Sequence, residues 1–179
     1  MGQPEQQDAA WAIDRKARAE GWPLRFDTTL DFERRELNAL RDLWRARAEG
    51  KGAPSRADFD ARTLKPYLRH IMINERVFVG PNRRRYRTRL AGTALTEIIG
   101  DPTGKFLEEH LPLELVPRWS SAYDAVLDGG QPLRLVAEFE LPQLSFLRGE
   151  ALIAPLADNN GRLTLVFGCI YFTPKPSAN

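Results

Sequence analysis

The most apolar stretch of the chain lies close to its C-terminus, at residues 163–172, with the sequence LTLVFGCIYF. Thr164 is the one plainly polar residue in this stretch. A strand that is apolar on both faces is typical of a sheet that is covered on both sides. Burial of each large side chain contributes roughly 1.5–3 kcal/mol. We therefore expect residues 163–172 to form the central strand of such a sheet.

Four further segments have the alternation or the composition typical of strands. Two of them flank the turn signal GPN at residues 80–82, and the other two precede the turn signal DNNG at residues 158–161. The positions that define them are Ile71, Ile73 and Val77; Tyr86, Thr88 and Leu90; Leu133, Leu135, Ala137, Phe139 and Leu141; and the segment EALIAPLA. Short helices are predicted between the second and third strands, within residues 93–127.

One amphipathic helix is predicted ahead of the strands. Between residues 31 and 49, four apolar residues recur at intervals of three and four, namely Leu37, Leu40, Leu43 and Trp44. The helices in the middle of the chain can cover one face of the sheet, so this helix is the available cover for the other. Because a partner subunit could share that task, the same four residues are the candidates for a dimer surface.

The composition divides the chain into three parts. Residues 1–30 are polar and are expected to be a weakly ordered extension with a short helix around residues 9–20, ended by Gly21 and Pro23. Residues 31–50 hold the amphipathic helix, and the linker GKGAPS follows it. Residues 54–175 are expected to form the domain proper.

Composition and charge indicate a soluble protein. The chain has 179 residues, of which 42% are hydrophobic and 28% charged, and its net charge of +2 is too small to argue for nucleic acid. Its single cysteine, Cys169, excludes an internal disulfide. There is no apolar run of membrane-spanning length and no signal peptide at the acidic N-terminus. We expect a cytoplasmic protein without a membrane partner.

A glycine-rich segment at residues 100–105, GDPTGK, resembles a phosphate-binding loop. A Walker A loop has one more residue between its glycines, and Phe106 occupies the position of the magnesium-binding Ser or Thr. The preceding TALTEII is typical of a helix instead of a strand. The segment is therefore predicted to be a turn between two short helices.

Four segments carry a resemblance to a known family: PSRADFDARTLKPYLRHIMINERV, YRTRLAGTAL, GDPTGK and EALIAPLADNNGRLTLVFGCIYF. Together they resemble the PAS-like domain family that is common in alphaproteobacteria, over about residues 30–175. The chain departs from that family at Pro102 and in the amino-acid sequence of the final hairpin, IAPLADNNG. The resemblance implies an α+β fold with a five-stranded antiparallel sheet of order 2-1-5-4-3. It also implies a sensory or protein-interaction module, usually a homodimer, with a small ligand between sheet and helices.

A ligand in such a place would contact inward-facing residues of the strands and helices. The candidates are Tyr86, Leu90, Phe106, Trp119, Tyr123, Phe139 and Phe167. The alternative is that these side chains only fill the core, as aromatic residues on apolar faces commonly do. The face of the last strand that points inward stays open, because both of its faces are apolar.

The arginine-rich segment RRRYR offers a candidate anion site. Arg83, Arg85 and Arg87 could hold a phosphate or another anion. The alternative is a solvated sheet face whose arginines pair with Glu138 and Glu140 or with acidic residues of the N-terminal helix. Nucleic acid is not the expected partner.

No cofactor or metal is predicted. Cys169 lies in a strand and outside any flavin-photosensor motif, and neither His70 nor His110 has a second ligand at metal-binding spacing. Cys169 is expected to act as a small buried hydrophobe.

No catalytic residues are predicted, and the protein is expected not to be an enzyme. The nearest carboxylate pairs, Asp58 with Asp60 and Glu108 with Glu109, look like a helix cap and an exposed helical pair. The alternative is a small-molecule enzyme of the cone-shaped, ketosteroid-isomerase-like α+β class, which a buried ionisable side chain in the cavity would favour. A non-enzymatic module ending at residue 179 is expected to signal through a separate protein partner.

Overall fold

The computed structural model describes residues 4–139 and 145–175, with side chains from residue 11 onward. Its helices are α1 (Pro4–Ala19), α2 (Arg35–Ala48), α3 (Ala61–Leu64), α4 (Thr93–Ile99), α5 (Leu107–His110) and α6 (Val116–Gly129). Its strands are β1 (Leu24–Asp27), β2 (Ile71–Phe78), β3 (Arg84–Ala91), β4 (Leu133–Glu138), β5 (Leu147–Ala157) and β6 (Leu163–Pro174). None of the helices in the described residues is long and apolar enough to cross a membrane.

The strands form one antiparallel sheet in the order β1-β4-β5-β6-β2-β3. Read from the other edge, the order is β3-β2-β6-β5-β4-β1. If β2 is counted as the first strand of the domain, the first five of these are in the predicted order 2-1-5-4-3, and β1 is an additional strand at the edge beside β4. Strand β6 lies between β5 and β2, where Gly168 pairs with Ile153 and Phe167 pairs with Ile73. The predicted α+β fold and the central position of the apolar strand are therefore confirmed.

Helix α2 covers one face of the sheet. Leu37 and Leu40 are fully buried and Trp44 is 3% exposed, while Leu43 is partly buried against the same core. The indole Nε1–H of Trp44 donates a hydrogen bond to the carbonyl oxygen of Pro155 over 3.1 Å. The predicted stripe thus packs inside its own chain. The stripe was also a candidate dimer surface. Its side chains are buried within the chain and are not available for contact with a second subunit.

Helices α6 and α1 cover the opposite face. Ala122 and Val126 of α6 are fully buried in a cluster with β4 and β5, and Ile13 and Ala17 of α1 join the same cluster. The short helix α5 lies beside β3, and α4 lies beside the single helical turn Leu68–His70 that precedes β2.

The N-terminal segment is more ordered than its composition predicts. Leu24 and Phe26 of β1 are buried and pair with Ala137 and Leu135 of β4. The carboxylate of Asp14 accepts a hydrogen bond from the backbone N–H of Phe26 over 2.9 Å, which ties α1 to β1. The few apolar residues of this polar segment fall at helical and strand spacing, so they suffice to attach it to the core.

A bulge in β3 reverses which face its side chains occupy. Ile73 pairs with Leu90, but the next residue, Asn74, pairs with Thr88, so Arg89 has no opposite residue. An extra residue in one strand changes the alternation beyond it. Tyr86 and Leu90 therefore point to opposite faces, although an unbroken alternation places them on the same one.

The segment at residues 100–105 is a turn between α4 and α5, as predicted. Gly104 has a φ of +83° and donates its N–H to the carbonyl oxygen of Thr88 over 2.8 Å. Thr88 in turn donates its N–H to the carbonyl oxygen of Lys105 over 2.9 Å. The turn packs along β3 through backbone hydrogen bonds. It follows a helix, whereas a phosphate-binding loop of the Walker A type follows a strand.

Candidate functional site

A cavity of about 460 Å³ lies between the sheet and helices α4, α5 and α6. This volume is within the range of small-molecule sites in proteins, roughly 300–1,000 Å³. The sheet side of the cavity is lined by Met72, Leu135, Ala151, Ile153, Ile170 and Phe172. The helix side is lined by Leu95, Ile98, Ile99, Leu107, Leu111 and Trp119. The wall is predominantly apolar.

Small residues on the sheet leave the cavity open. Ala137, Ala151 and Gly168 all lie on its wall, on β4, β5 and β6. A Cβ atom added at Gly168 would meet only ordinary contacts, the nearest being the carbonyl oxygen of Met72 at 3.6 Å. The space above Gly168 is therefore a consequence of its missing side chain.

Three of the seven predicted pocket residues line this cavity. Trp119 and Tyr123 reach it from α6, and Phe139 reaches it from the end of β4. The ring of Phe139 lies against that of Phe172, with 5.5 Å between centroids. The predicted Leu141 and Glu140 fall outside the described residues.

The other four predicted pocket residues lie elsewhere. Phe167 stacks on Phe59 at 5.5 Å between centroids, and Leu90 packs with it under α2, on the opposite face of the sheet. The Arg85 guanidinium lies over the ring of Phe106, with 3.6 Å between the guanidinium carbon and the ring centroid. Phe167 points away from the cavity because the even-numbered residues Gly168, Ile170 and Phe172 of β6 face it. Leu90 points away because of the bulge in β3. The alternation of apolar residues in the sequence predicts neither direction.

Tyr86 holds β3 against α6 instead of lining the cavity. Its hydroxyl donates a hydrogen bond to Asp124 over 2.5 Å. Burial raises the pKa of Tyr86, and the neighbouring Asp124 raises it further. The Arg76 guanidinium donates to Asp128 on the same helix over 2.5 Å. This cluster fixes the position of α6, and with it one wall of the cavity.

A buried polar chain ends at the cavity wall. Thr88 Oγ1 donates to Asn74 Oδ1 over 3.0 Å, and Asn74 Nδ2 donates to the Tyr123 hydroxyl over 3.1 Å. Thr88 is fully buried and Asn74 is 1% exposed. The sequence pattern did not single out Asn74, because a polar residue within a strand is usually assigned to the solvent face.

His110 is a further polar residue on the wall of the cavity. Both of its ring nitrogens are buried, and neither has a hydrogen-bond partner among the described residues. Burial lowers the pKa of His110, and the charge of Lys105 lowers it further against the opposing effect of Glu109 and Glu108. The sequence offered His110 only as an isolated histidine at the end of a short helix.

The predicted anion candidates are largely paired. Arg85 forms an ion pair with Glu108, and Arg87 donates to Glu75 over 2.9 Å. Arg83 is exposed on the turn before β3. The partners differ from the expected Glu138, which pairs with Lys175. An anion at this place would have to displace a carboxylate from Arg85 or Arg87.

The carboxylate pairs that the sequence offered for catalysis have structural partners. Asp58 accepts a hydrogen bond from the Ser55 N–H over 2.7 Å, and Asp60 accepts from the Thr63 N–H over 2.7 Å. Glu109 accepts from the Phe106 N–H over 2.6 Å. These contacts cap short helical turns.

Cys169 is fully buried on the α2 face, and burial raises the pKa of its thiol. It belongs to the packed core, as expected of a small buried hydrophobe. Among the described residues, no three His, Cys, Asp or Glu side chains are grouped so that they could hold a metal ion.

Comparison of the sequence with models of known protein families identifies the family of this chain. The family model described as the PAS domain matches residues 32–171, well over half of the chain. The chain therefore belongs to the PAS domain family, a family of sensory and protein-interaction modules. No curated protein matches the sequence.

Among solved structures, a similar chain is described as an RNA-binding light-oxygen-voltage receptor. The two are 13% identical with a TM-score of 0.39, and the match covers 66% of this chain and 35% of the receptor chain. The match thus spans about a third of the receptor, and at this similarity it carries no argument about function.

Proposed function

We propose that this PAS domain is a non-enzymatic sensor that binds a small, mainly apolar molecule in the cavity between its sheet and helices. The observation that carries the proposal is the open cavity of about 460 Å³ with its apolar wall. A packed interior rarely contains spaces larger than a water molecule, so a cavity of this size sets this part of the fold apart from an ordinary core. Small-molecule sites have this size and lining.

The proposed output is a change in the contacts of α2. The β5 strand presents Ala151 and Ile153 to the cavity, while Leu152 between them faces α2. A ligand that shifts β5 therefore acts on both layers. In this proposal the signal then passes to a separate protein partner through the surface that α2 presents.

Several narrower features are part of the same proposal. We propose that the protein works as a homodimer in the cytoplasm, and that it belongs to the branch of the family common in alphaproteobacteria. The motifs YRTRLAGT and GDPTGK support that branch. A dimer would need a surface other than the buried stripe of α2, and exposed apolar residues such as Trp11 (67% exposed) and Phe146 (60% exposed) are available for it.

An enzymatic function of the ketosteroid-isomerase-like kind has less support. The carboxylates on the cavity wall, Glu114 and Glu138, are exposed to solvent. The hydroxyl of Tyr123, a buried residue of the wall, already accepts a hydrogen bond from Asn74.

Mass spectrometry of the purified protein tests the proposal. We expect the native spectrum to show an excess mass over the denatured spectrum, equal to one small molecule for each chain, and a dimeric assembly. A native mass equal to that of the bare chain, together with no binding of added small apolar molecules, would contradict the ligand. A monomer would contradict the dimer alone.

A further inference from the structure

The cavity wall contains one histidine whose hydrogen-bonding capacity is unused. His110 lines the cavity, and both ring nitrogens are buried without a hydrogen-bond partner among the described residues. Leaving a buried donor or acceptor unsatisfied costs free energy, which is why nearly all such groups in proteins are paired. A histidine kept in this position is therefore a candidate for a bond with something that the chain itself does not provide.

A simple movement of the His110 ring exchanges the positions of its carbons and nitrogens. A half-turn about the Cβ–Cγ bond exchanges Nδ1 with Cδ2 and Nε2 with Cε1, while the plane of the ring stays in place. The half-turn puts nitrogens where the two side carbons of the ring were, and because the outline of the ring is unchanged, neighbouring side chains need not move. A neutral imidazole has one N–H donor and one acceptor nitrogen, so it can bind a carbonyl or a hydroxyl group.

The surroundings of His110 favour an uncharged ligand. The inner wall is formed by apolar residues such as Leu107, Leu111 and Trp119, and transferring a charged group to such a place is costly. Glu114, a further wall residue, would repel an anion at the entrance. Arg118 lies on the wall too, and it is already engaged in an interaction of its own.

We propose that His110 selects for an uncharged, mainly apolar molecule with a single hydroxyl or carbonyl group, which it holds by a hydrogen bond from or to its imidazole ring. This inference rests on the proposed function, because it concerns the ligand of the same cavity. His110 is then the residue that determines specificity for the head group, and the apolar wall supplies most of the affinity.

Three small probes of similar shape separate these contributions. They are ethylbenzene, which has no polar group, 2-phenylethanol, which adds a hydroxyl, and phenylacetate, which carries a charge. Dissociation constants are measured by NMR titration for the wild type, for His110→Phe, which keeps an aromatic ring without nitrogens, and for His110→Gln, which restores a donor and an acceptor. The quantity of interest is the ratio of the dissociation constant of ethylbenzene to that of 2-phenylethanol.

We expect this ratio to fall about fivefold in His110→Phe, the size of one net hydrogen bond, and to recover in part in His110→Gln. The affinity for ethylbenzene reports what each substitution does to the apolar contacts, and the ratio corrects for that change. An unchanged ratio in His110→Phe, or tighter binding of phenylacetate than of 2-phenylethanol, would overturn the inference and leave ligand binding by the cavity intact. If none of the probes binds the folded wild type, the proposed function fails instead.

A second readout does not depend on the folding of any variant. In the wild type, the ¹⁵N chemical shifts of the His110 ring should move on addition of 2-phenylethanol and stay unchanged on addition of ethylbenzene. Bound 2-phenylethanol with no change in these shifts would also overturn the inference.

Discussion

The carboxylate of Glu150 on β5 accepts a hydrogen bond from the backbone N–H of Arg34, directly before α2, over 3.2 Å. Its other oxygen accepts from the backbone N–H of Glu33 over 3.0 Å and from the Arg134 guanidinium over 2.9 Å. Arg34 supplies no side-chain cap of its own to α2. A residue of the sheet therefore caps the helix that covers the sheet, and the contact couples the two layers directly.

Replacing Glu150 should weaken this coupling. Glu150 is 6% exposed, so Glu150→Gln removes a buried carboxylate charge and leaves the Arg134 guanidinium with the more exposed Asp27, at 3.0 Å, as its nearest charged partner. We expect the free energy of unfolding to fall by roughly 1.5–3 kcal/mol, the size of the hydrogen bonds to a charged group that the substitution weakens. Urea denaturation measures this change.

The matched control is Glu33→Gln, which removes a carboxylate from the same cluster. The Glu33 side chain is 63% exposed and pairs with Arg148 at 3.0 Å, so we expect a loss below about 1 kcal/mol. Equal losses in the two variants would mean that Glu150 does not have the special role described.

The hydrogen bond of Tyr123 to Asn74 gives a second prediction. Tyr123→Phe keeps the ring but leaves the amide of Asn74, 1% exposed, without this acceptor. We expect the free energy of unfolding to decrease by about 1–3 kcal/mol. Tyr67→Phe, at a partly buried tyrosine of the same chain, should change it by less than about 0.5 kcal/mol. The prediction is wrong if Tyr123→Phe is as stable as the wild type in urea.

The two histidines predict how stability depends on pH. Burial lowers the pKa of both, and nearby Arg69 for His70 and Lys105 for His110 lower it further. Between the ordinary pKa of 6.5 and the lowered values, the unfolded chain binds more protons than the folded chain. Stability is therefore fully present above pH 6.5 and is lost as the pH falls through this window.

Urea midpoints measured between pH 7.5 and pH 5 test this dependence. The wild type should become less stable on acidification, and the double variant His70→Phe with His110→Phe should show a flatter profile over the same range. A wild-type stability that rises as the pH falls would contradict the assignment of both histidines as neutral in the folded state.

The arrangement of the sheet could be predicted from the sequence because it depends on local pattern. The apolar segment that became β6 has no polar face, and only an interior position between two covered layers accommodates it. The stripe of Leu37, Leu40 and Trp44 likewise needs an apolar surface to pack against, and within a single chain the sheet provides it. The additional strand β1 was missed because it contributes only two buried residues, Leu24 and Phe26, from a segment that is polar on average.

The cavity was predicted only in part. Trp119 and Tyr123 share one face of α6, so their inward direction follows from helical spacing. The directions of Phe167 and Leu90 depend on the parity of β6 and on the bulge at Arg89, which are set by the pairing of strands far apart in the chain. The space itself follows from small residues such as Gly168, and their effect becomes visible only once the strands are aligned.

The central claim is that the cavity binds a small molecule, and titration of 2-phenylethanol into Gly168→Val tests it most directly. The new side chain occupies space that the glycine leaves open, and valine suits a strand. Ala39→Val, on the exposed surface of α2, serves as control. We predict saturable binding to the wild type and to Ala39→Val, and an affinity at least about tenfold lower in folded Gly168→Val. Equal affinity in all three proteins, or no saturable binding to the wild type, would contradict the account.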